Sequence, residues 1–235
     1  MKLAIIGDSH TASWKLAWTE MACAHADFDL TFFAGPGQRT TDFKVDDGKL
    51  VAGTEKLRQS IAYTSGGLEK IDPAQFDAFV VCGLFVLRAW TDDAPEYSLA
   101  VYQQTLMDTV ASSMNYGIAR KLRQITDKPI YICHRPFAAA KEGKNIFKRD
   151  TYAQRIEVLN SFTQSDIGAT VVAQAAKTVV DENYTLAEFT VGSRRLDVGS
   201  SISGTLHDSD DTTHMNADFG AIALENLFGI LQAGK

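Results

Sequence analysis

The chain has 235 residues, 45% of them hydrophobic and 22% charged, the composition of a globular protein large enough to fold without disulfides or a structural metal. Its net charge of −6 argues against nucleic acid or an anionic membrane surface as a partner. The three cysteines, Cys23, Cys82 and Cys133, form no C-x-x-C pair, so neither a zinc knuckle nor a disulfide framework is indicated.

The first apolar run, residues 3–6, is too short for a signal peptide or a membrane span. We therefore expect a cytoplasmic protein with no membrane partner. No repeat, low-complexity tract or linker interrupts the chain, which predicts one domain over residues 1–235. The sequence carries no signal for an oligomeric state.

Strand and helix signals alternate along the chain. Short apolar runs predict strands at residues 3–6, 28–33, 76–84, 129–133 and 169–173. Helical periodicity predicts helices at residues 13–26, 97–125 with a break near Gly117, 150–163 with Asp150 as N-cap, and 216–232. Residues 45–51 resemble a small hairpin, the rest of 40–67 is polar and mixed, and 178–206 has no regular pattern.

Strands separated by helices predict an α/β fold, with a parallel sheet covered by helices on both faces. Ligands bind such sheets at the carboxyl ends of the strands. Ser9, Gly37, Phe85 and His134 each follow a predicted strand. We therefore expect these residues along one rim of the sheet.

Ser9 lies where the first predicted strand passes into the first predicted helix. Backbone N–H groups at a helix N-terminus favour negative charge, so a serine there has the surroundings that an acyl-transfer nucleophile needs. Its own N–H is a candidate oxyanion donor. The alternative is that Asp8 or Ser9 simply caps the helix.

Asp211 and His214 stand just before the last predicted helix. In a turn, this carboxylate can reach the imidazole, orient it and stabilise its protonated form. The other ring nitrogen is then free to accept a serine proton. The alternative is a polar loop in which Asp211 or Thr213 caps the last helix.

In chain order, Gly7-Asp8-Ser9 after the first strand, Gly37 after the second and Asp211-x-x-His214 before a C-terminal helix resemble the SGNH (GDSL-like) hydrolase superfamily. The resemblance implies a flavodoxin-like, three-layer α/β/α sandwich with a mainly parallel five-stranded sheet. It also implies ester or acyl chemistry.

The resemblance implies a role for each of these residues. Ser9 would be the nucleophile, His214 the general base and Asp211 the carboxylate that orients it. The backbone N–H groups of Ser9 and Gly37 would form the oxyanion hole. Gly35 is the alternative to Gly37, because Pro36 leaves two ways to align this loop.

One position departs from the family's pattern. The family has Gly-x-Asn after the third strand, where the asparagine donates a third oxyanion hydrogen bond, and here the stretch is Gly83-Leu84-Phe85. Removing one such donor costs on the order of 10²–10³ in rate in a well-studied hydrolase. Three explanations are open. Arg88, His134 or Arg135 supplies a donor, the acyl donor is activated or unusual, or the site binds without turnover.

Five side chains are candidates for substrate binding, namely Asp8, His10, Arg88, His134 and Arg135. His10 follows Ser9 directly, as in some SGNH-like proteins that handle carbohydrate acyl groups, and the alternative is a position on the helix surface. Arg88 or Arg135 suits a substrate carboxylate or phosphate. Loop packing is the alternative for His134 and Arg135.

No metal or cofactor is predicted. Residues 207–211 are rich in ligand atoms, but their spacing matches no calcium loop or zinc motif, and a solvated acidic loop is the simpler interpretation. The sequence also lacks G-x-G-x-x-G after the first strand, a Walker A motif, H-E-x-x-H and G-x-S-x-G. These absences argue against dinucleotide-binding, P-loop, zincin and α/β-hydrolase enzymes.

Together these observations predict a serine esterase that hydrolyses a small ester through an acyl-enzyme on Ser9, with O-acyl groups on carbohydrate among the candidate substrates. An O-acyltransferase would use the same intermediate. The alternative from a different class is a non-catalytic protein of the same fold that binds a glycan or another partner, for which Phe85 is the main reason.

Overall fold

The computed structural model describes residues 1–83, 87, 98–140 and 151–233. The helices in these ranges are α1 (Thr11–Met21), α2 (Glu55–Ser65), α3 (Leu99–Ala111), α4 (Met114–Arg123), α5 (Tyr152–Ile167) and α6 (Ala217–Ala233). The strands are β1 (Lys2–Gly7), β2 (Asp29–Ala34), β3 (Phe43–Asp46), β4 (Lys49–Ala52), β5 (Lys70–Ile71), β6 (Ala78–Cys82), β7 (Ile130–Cys133), β8 (Ala169–Val172), β9 (Val179–Val180) and β10 (Tyr184–Thr185).

Five strands form a parallel sheet in the order β2-β1-β6-β7-β8. At the end of β1, Gly7 pairs with Ala34 of β2 and with Cys82 of β6. The carboxyl ends of three neighbouring strands are therefore level, and the residues that follow them share one rim. The predicted α/β fold with a five-stranded parallel sheet is confirmed.

The two faces of the sheet pack on different helices. Along β1, the fully buried side chains of Leu3 and Ile5 belong to an apolar cluster with α1 and α6. Those of Ala4 and Ile6 belong to a second cluster with the other four helices. This alternation follows from the two-residue period of a strand, and it produces the predicted three-layer α/β/α arrangement.

A close helix contact brings the two ends of the chain together. A β-carbon at Gly220 of α6 would lie 2.1 Å from the carbonyl oxygen of Ser13 in α1, so these two backbones touch directly. Further along, the ring of Phe228 in α6 lies 6.0 Å from that of Trp18 in α1. The two helices therefore run in parallel, and the residues that precede α6 lie beside those that precede α1.

The structure contains a helix that the sequence pattern does not reveal. Within the polar stretch 40–67, α2 begins after Thr54, whose side chain accepts the N–H of Leu57. The pattern is weak because the buried side of α2 combines only two large apolar residues, Leu57 and Ile61, with the polar Ser60 and Thr64. The predicted hairpin at residues 45–51 is present as β3 and β4.

Two helix boundaries also differ from the prediction. The stretch 97–125 divides before Ser113, whose hydroxyl caps α4 by accepting the N–H of Tyr116, whereas Gly117 lies inside α4. Helix α5 begins after Thr151, which forms a reciprocal capping box with Gln154. Asp150 lies outside the described residues.

Two smaller sheets, β3-β4-β5 and β9-β10, accompany the main one. Within the described ranges, no helix combines the length and the apolar character needed to cross a bilayer. The assignment of residues 1–235 to one domain stays a prediction.

Candidate active site

Ser9 occupies the turn between β1 and α1, at the carboxyl edge of the sheet. The first N–H groups of α1 are accepted by the backbone carbonyls of Asp8 and Ser9. The Ser9 hydroxyl lies instead 3.0 Å from Nε2 of His214. The structure thus brings together the two groups on which acyl transfer would depend, and the Ser9 side chain does not cap the helix.

His214 lies in a loop that is anchored on both sides to other parts of the chain. Before it, the carbonyl of Thr212 accepts the N–H of Ala139, which follows β7, at 2.7 Å. After it, the N–H of Asn216 donates to the carbonyl of Phe189 at 2.7 Å. Backbone hydrogen bonds therefore hold the chain on both sides of His214.

Asp211 completes the hydrogen-bonded series. Its Oδ2 lies 2.7 Å from Nδ1 of His214, and its Oδ1 accepts the N–H groups of Thr213 and His214 at 2.7 and 3.0 Å. Burial by itself would raise the pKa of Asp211, but these hydrogen bonds outweigh it and hold that pKa well below its ordinary value. We therefore assign the proton of neutral His214 to Nδ1, which leaves the lone pair of Nε2 facing Ser9.

Three imidazole rings are stacked at this site. His214 lies between His10, at 4.7 Å and 14° between ring planes, and His207, at 3.9 Å and 9°. Burial lowers the pKa of both His10 and His207, and the nearby His214 lowers both further. Both effects favour the neutral form of the two outer rings.

His207, Asp211 and His214 also place ligand atoms within 4.8 Å of one another, so they are the described residues to consider for a metal ion. Both histidines turn Nδ1 toward Oδ2 of Asp211, at 3.2 and 2.7 Å. A histidine binds a metal along the lone pair in its ring plane, at about 2.0 Å for zinc. Two parallel stacked rings do not direct their lone pairs at one point, so the geometry suits contacts with Asp211 and not an ion.

Asp8 supports the turn that carries Ser9. Its buried Oδ1 accepts the N–H of His10 at 2.9 Å. A β-carbon at Gly83 would lie 2.0 Å from the same oxygen, so only glycine fits there. Burial raises the pKa of Asp8 to about 6, against the opposing effects of the His10 hydrogen bond and the positive charge of Arg135. Substrate binding by Asp8 stays a prediction.

The two glycine candidates for the oxyanion hole have different surroundings. The N–H of Gly35 donates to the carbonyl of Gly7 at 3.2 Å and so extends the pairing of β1 with β2. Gly37 has a φ of +62° and lines the same cavity as Ser9. The geometry therefore favours Gly37 as the partner of the Ser9 N–H.

His134 faces the protein interior. Its Nδ1 lies 2.6 Å from the carbonyl oxygen of Arg135, and its Nε2 contacts the hydroxyl of Tyr152. Burial lowers the pKa of His134 to about 4. This neutral ring is engaged inside the protein, which agrees better with loop packing than with substrate binding.

The remaining candidates divide into two groups. Arg135 lies close enough to lower the pKa of both Asp8 and His10, so its charge reaches the site. Arg88 and Phe85 lie outside the described residues. Their roles, as a substitute donor and as the replacement for the family's asparagine, stay predictions.

A cavity of about 220 Å³ opens beside Ser9. Its lining includes Ser9, Gly37 and His214 together with an aliphatic wall of Leu196, Val198 and Ile202; Arg195 and Ser200 of the same segment line it too. The aliphatic wall belongs to a loop of residues 193–207, which closes with the N–H of His207 on the carbonyl of Ser193 at 2.9 Å. This wall falls in the stretch 178–206, where the sequence pattern predicts no function.

His207 is a site residue that the sequence pattern does not reveal, because residues 207–211 resemble a solvated acidic loop. That interpretation fits Asp208 and Asp210, which are exposed, but the side chain of His207 is only 6% exposed. The available signal is its spacing, four residues before Asp211. That spacing is not informative until the loop's path is known.

Comparison with known proteins adds little. No family model and no curated protein matches the chain. Among solved structures, the chain is similar to the periplasmic domain of a lipopolysaccharide acetyltransferase from Salmonella ser. Paratyphi A, with 12% identity, 98% of this chain and 83% of that chain covered, and a TM-score of 0.46. A likeness this remote carries no argument about activity.

Proposed function

We propose that the chain is a serine acyl hydrolase of SGNH type, acting on a small ester through Ser9, His214 and Asp211. The observation that carries this proposal is the continuous series of contacts among these side chains. Ser9 Oγ lies 3.0 Å from His214 Nε2, and His214 Nδ1 lies 2.7 Å from Asp211 Oδ2. Both distances are within hydrogen-bond range, as a nucleophile, a base and its orienting carboxylate require.

The reaction follows from these contacts. Ser9 Oγ attacks the ester carbonyl while Nε2 of His214 takes its proton, and the N–H groups of Ser9 and Gly37 stabilise the oxyanion. The intermediate collapses as His214 returns the proton to the departing alcohol, which leaves an acyl-enzyme. Water then attacks the acyl group with His214 again as the base, and the acid and free Ser9 are released.

The cavity beside Ser9 suggests the nature of one part of the substrate. Leu196, Val198 and Ile202 form an aliphatic wall in a space of about 220 Å³. An engineered apolar cavity of about 150 Å³ holds benzene, so this space suits an aliphatic acyl group of moderate length. We propose a carbohydrate as the alcohol part of the ester, which would lie outside this wall.

The test compares the wild type with Ser9→Ala in the hydrolysis of p-nitrophenyl acetate and in labelling by a fluorophosphonate. We expect the wild type to turn over and to carry the label on Ser9. The variant should lose the label and most of its turnover, roughly 10⁶-fold in kcat by analogy with another serine hydrolase. Ser112→Ala, at the exposed end of α3, is the control and should behave as the wild type.

Equal turnover in the wild type and Ser9→Ala, or a label elsewhere than Ser9, would contradict the proposal. The non-catalytic alternative predicts different results. The protein would bind a glycan or another partner equally well after His214→Ala, and Ser9 would not be labelled. Adding sugar acceptors to the assay separates transfer from hydrolysis, because a transferase would form an acylated sugar in place of the free acid.

A further inference from the structure

His207 occupies a position that the proposed reaction does not by itself require. It takes no proton in the mechanism, yet its ring lies on the face of His214 with centroids 3.9 Å apart and 9° between planes. Its Nδ1 lies 3.2 Å from Oδ2 of Asp211, the oxygen that also contacts His214. His207 thus touches both the base and its orienting carboxylate.

The stability of the fold does not explain a histidine at this position. The side chain is 6% exposed, and its buried Nε2 has no hydrogen-bond partner among the described residues. Burying an unpaired polar nitrogen costs free energy that an apolar ring of similar shape would not cost. A role in the site is the more economical explanation.

We propose that His207 is a positioning residue, which by stacking on His214 keeps that ring in the plane where Nε2 faces Ser9 and Nδ1 faces Asp211. This inference rests on the proposed acyl-transfer function. His10 covers the opposite face of His214 at 4.7 Å, so the ring has a neighbour on each side. The backbone of His207 is itself fixed, through its N–H, to Ser193 at 2.9 Å.

A neutral ring is well suited to this role. During the reaction His214 becomes an imidazolium, which a cationic neighbour would destabilise by repulsion. The face of an uncharged aromatic ring attracts a cation, so the stack tolerates the charge. If the ring face is what matters, phenylalanine should replace His207 in function although it has no nitrogen.

The experiment compares the wild type with His207→Ala, His207→Phe and the control His25→Ala. His25 is also a histidine beside an aromatic ring, 5.1 Å from Phe228, in the short turn that follows α1. We measure kcat and KM for p-nitrophenyl acetate, the rate of fluorophosphonate labelling, and the downfield proton resonance of the His214 Nδ1–H. Thermal unfolding of each protein reports whether the variant is folded.

For His207→Ala we expect kcat and the labelling rate to fall roughly 10- to 100-fold, with KM changed less than about twofold and the Nδ1–H resonance broadened or lost. His207→Phe should recover kcat to within about threefold of the wild type and restore the resonance. His25→Ala should leave all site measurements unchanged.

Two results would overturn the inference. One is a folded His207→Ala protein with wild-type kcat and resonance. The other is a His207→Phe protein that is folded but as impaired as His207→Ala. An unreactive wild type would contradict the proposed function instead, so the failure of the function and the failure of the inference are distinguishable.

Discussion

The backbones of Gly220 and Ser13 lie directly against each other, and this contact holds α6, which follows His214, beside α1, which follows Ser9. A β-carbon at residue 220 would lie 2.1 Å from the carbonyl oxygen of Ser13 and 2.4 Å from its carbon. Both atoms belong to backbone, so neither can move aside cheaply. Because His214 lies just before α6 and Ser9 just before α1, a shift between these helices separates the two groups.

Gly220→Ala should therefore destabilise the protein and slow the reaction of Ser9. Forcing a methyl group into this contact is expected to cost about 1–3 kcal/mol in the free energy of unfolding, measured by urea denaturation. Gly229→Ala on the same helix is the matched control, since a β-carbon there meets nothing within 4 Å. The control should be neutral or more stable by about 0.5–1 kcal/mol. Equal stability of the two variants would refute the role of this contact.

Asp211→Asn should reduce kcat by about 10⁴-fold while the protein stays folded, as the equivalent change does in another serine hydrolase. The amide would present a donor to Nδ1 of His214 and so favour the tautomer whose Nε2 cannot accept the Ser9 proton. Steady-state kinetics on p-nitrophenyl acetate measure the effect. Asp208→Asn is the control, with a side chain 82% exposed, and should keep near-wild-type kcat. A small loss in Asp211→Asn would remove this residue from the proposed mechanism.

Asp8→Asn should make the protein more stable at neutral pH. The pKa of Asp8 is raised from 3.8 to about 6 in the folded state. The folded state therefore holds the proton more tightly than the unfolded state, and stability falls as pH rises from about 4 to about 6. Above that range the ionised carboxylate costs up to about 3 kcal/mol, which the amide avoids while still accepting the N–H of His10.

Urea denaturation of Asp8→Asn and the wild type between pH 4 and pH 8 tests this sign. The two curves should converge near pH 4 and separate as pH rises, with the variant more stable. Asp46→Asn, at an exposed position in β3, should follow the wild type throughout. The quantity to compare is the stability of Asp8→Asn minus that of the wild type. A smaller difference at pH 7 than at pH 4 contradicts the expected direction.

Val198→Trp should shorten the acyl chain that the site accepts. The indole would occupy the cavity of about 220 Å³ beside Ser9. With p-nitrophenyl esters of increasing acyl length, kcat/KM for the hexanoate should fall by about tenfold or more, and that for the acetate much less. Val191→Trp, at a position 73% exposed that does not line the cavity, is the control. If Val198→Trp keeps the acyl selectivity of the wild type, the acyl group binds elsewhere and the cavity holds the alcohol part of the ester.

Local patterns in the sequence were sufficient to predict the three-layer α/β/α arrangement of this fold. Apolar runs predicted all five strands of the main sheet, because a strand covered on both faces has few polar positions, as in the wholly buried β6. Helix α2 was missed because its buried side combines two large apolar residues, Leu57 and Ile61, with the polar Ser60 and Thr64. The break between α3 and α4 was assigned to Gly117 and lies before Ser113, since capping by a serine hydroxyl depends on geometry that composition does not reveal.

The sequence by itself determined which groups were available, namely a serine after the first strand and an Asp-x-x-His before the last helix. Only the tertiary structure decided that these groups meet across 205 residues, because that meeting depends on sheet register and on the backbone contact between α1 and α6. In the folded protein, Gly37 lines the cavity beside Ser9, the side chain of His134 is buried, and the ring of His207 stacks on that of His214. Each of these outcomes depends on long-range packing, which no local pattern in the chain encodes.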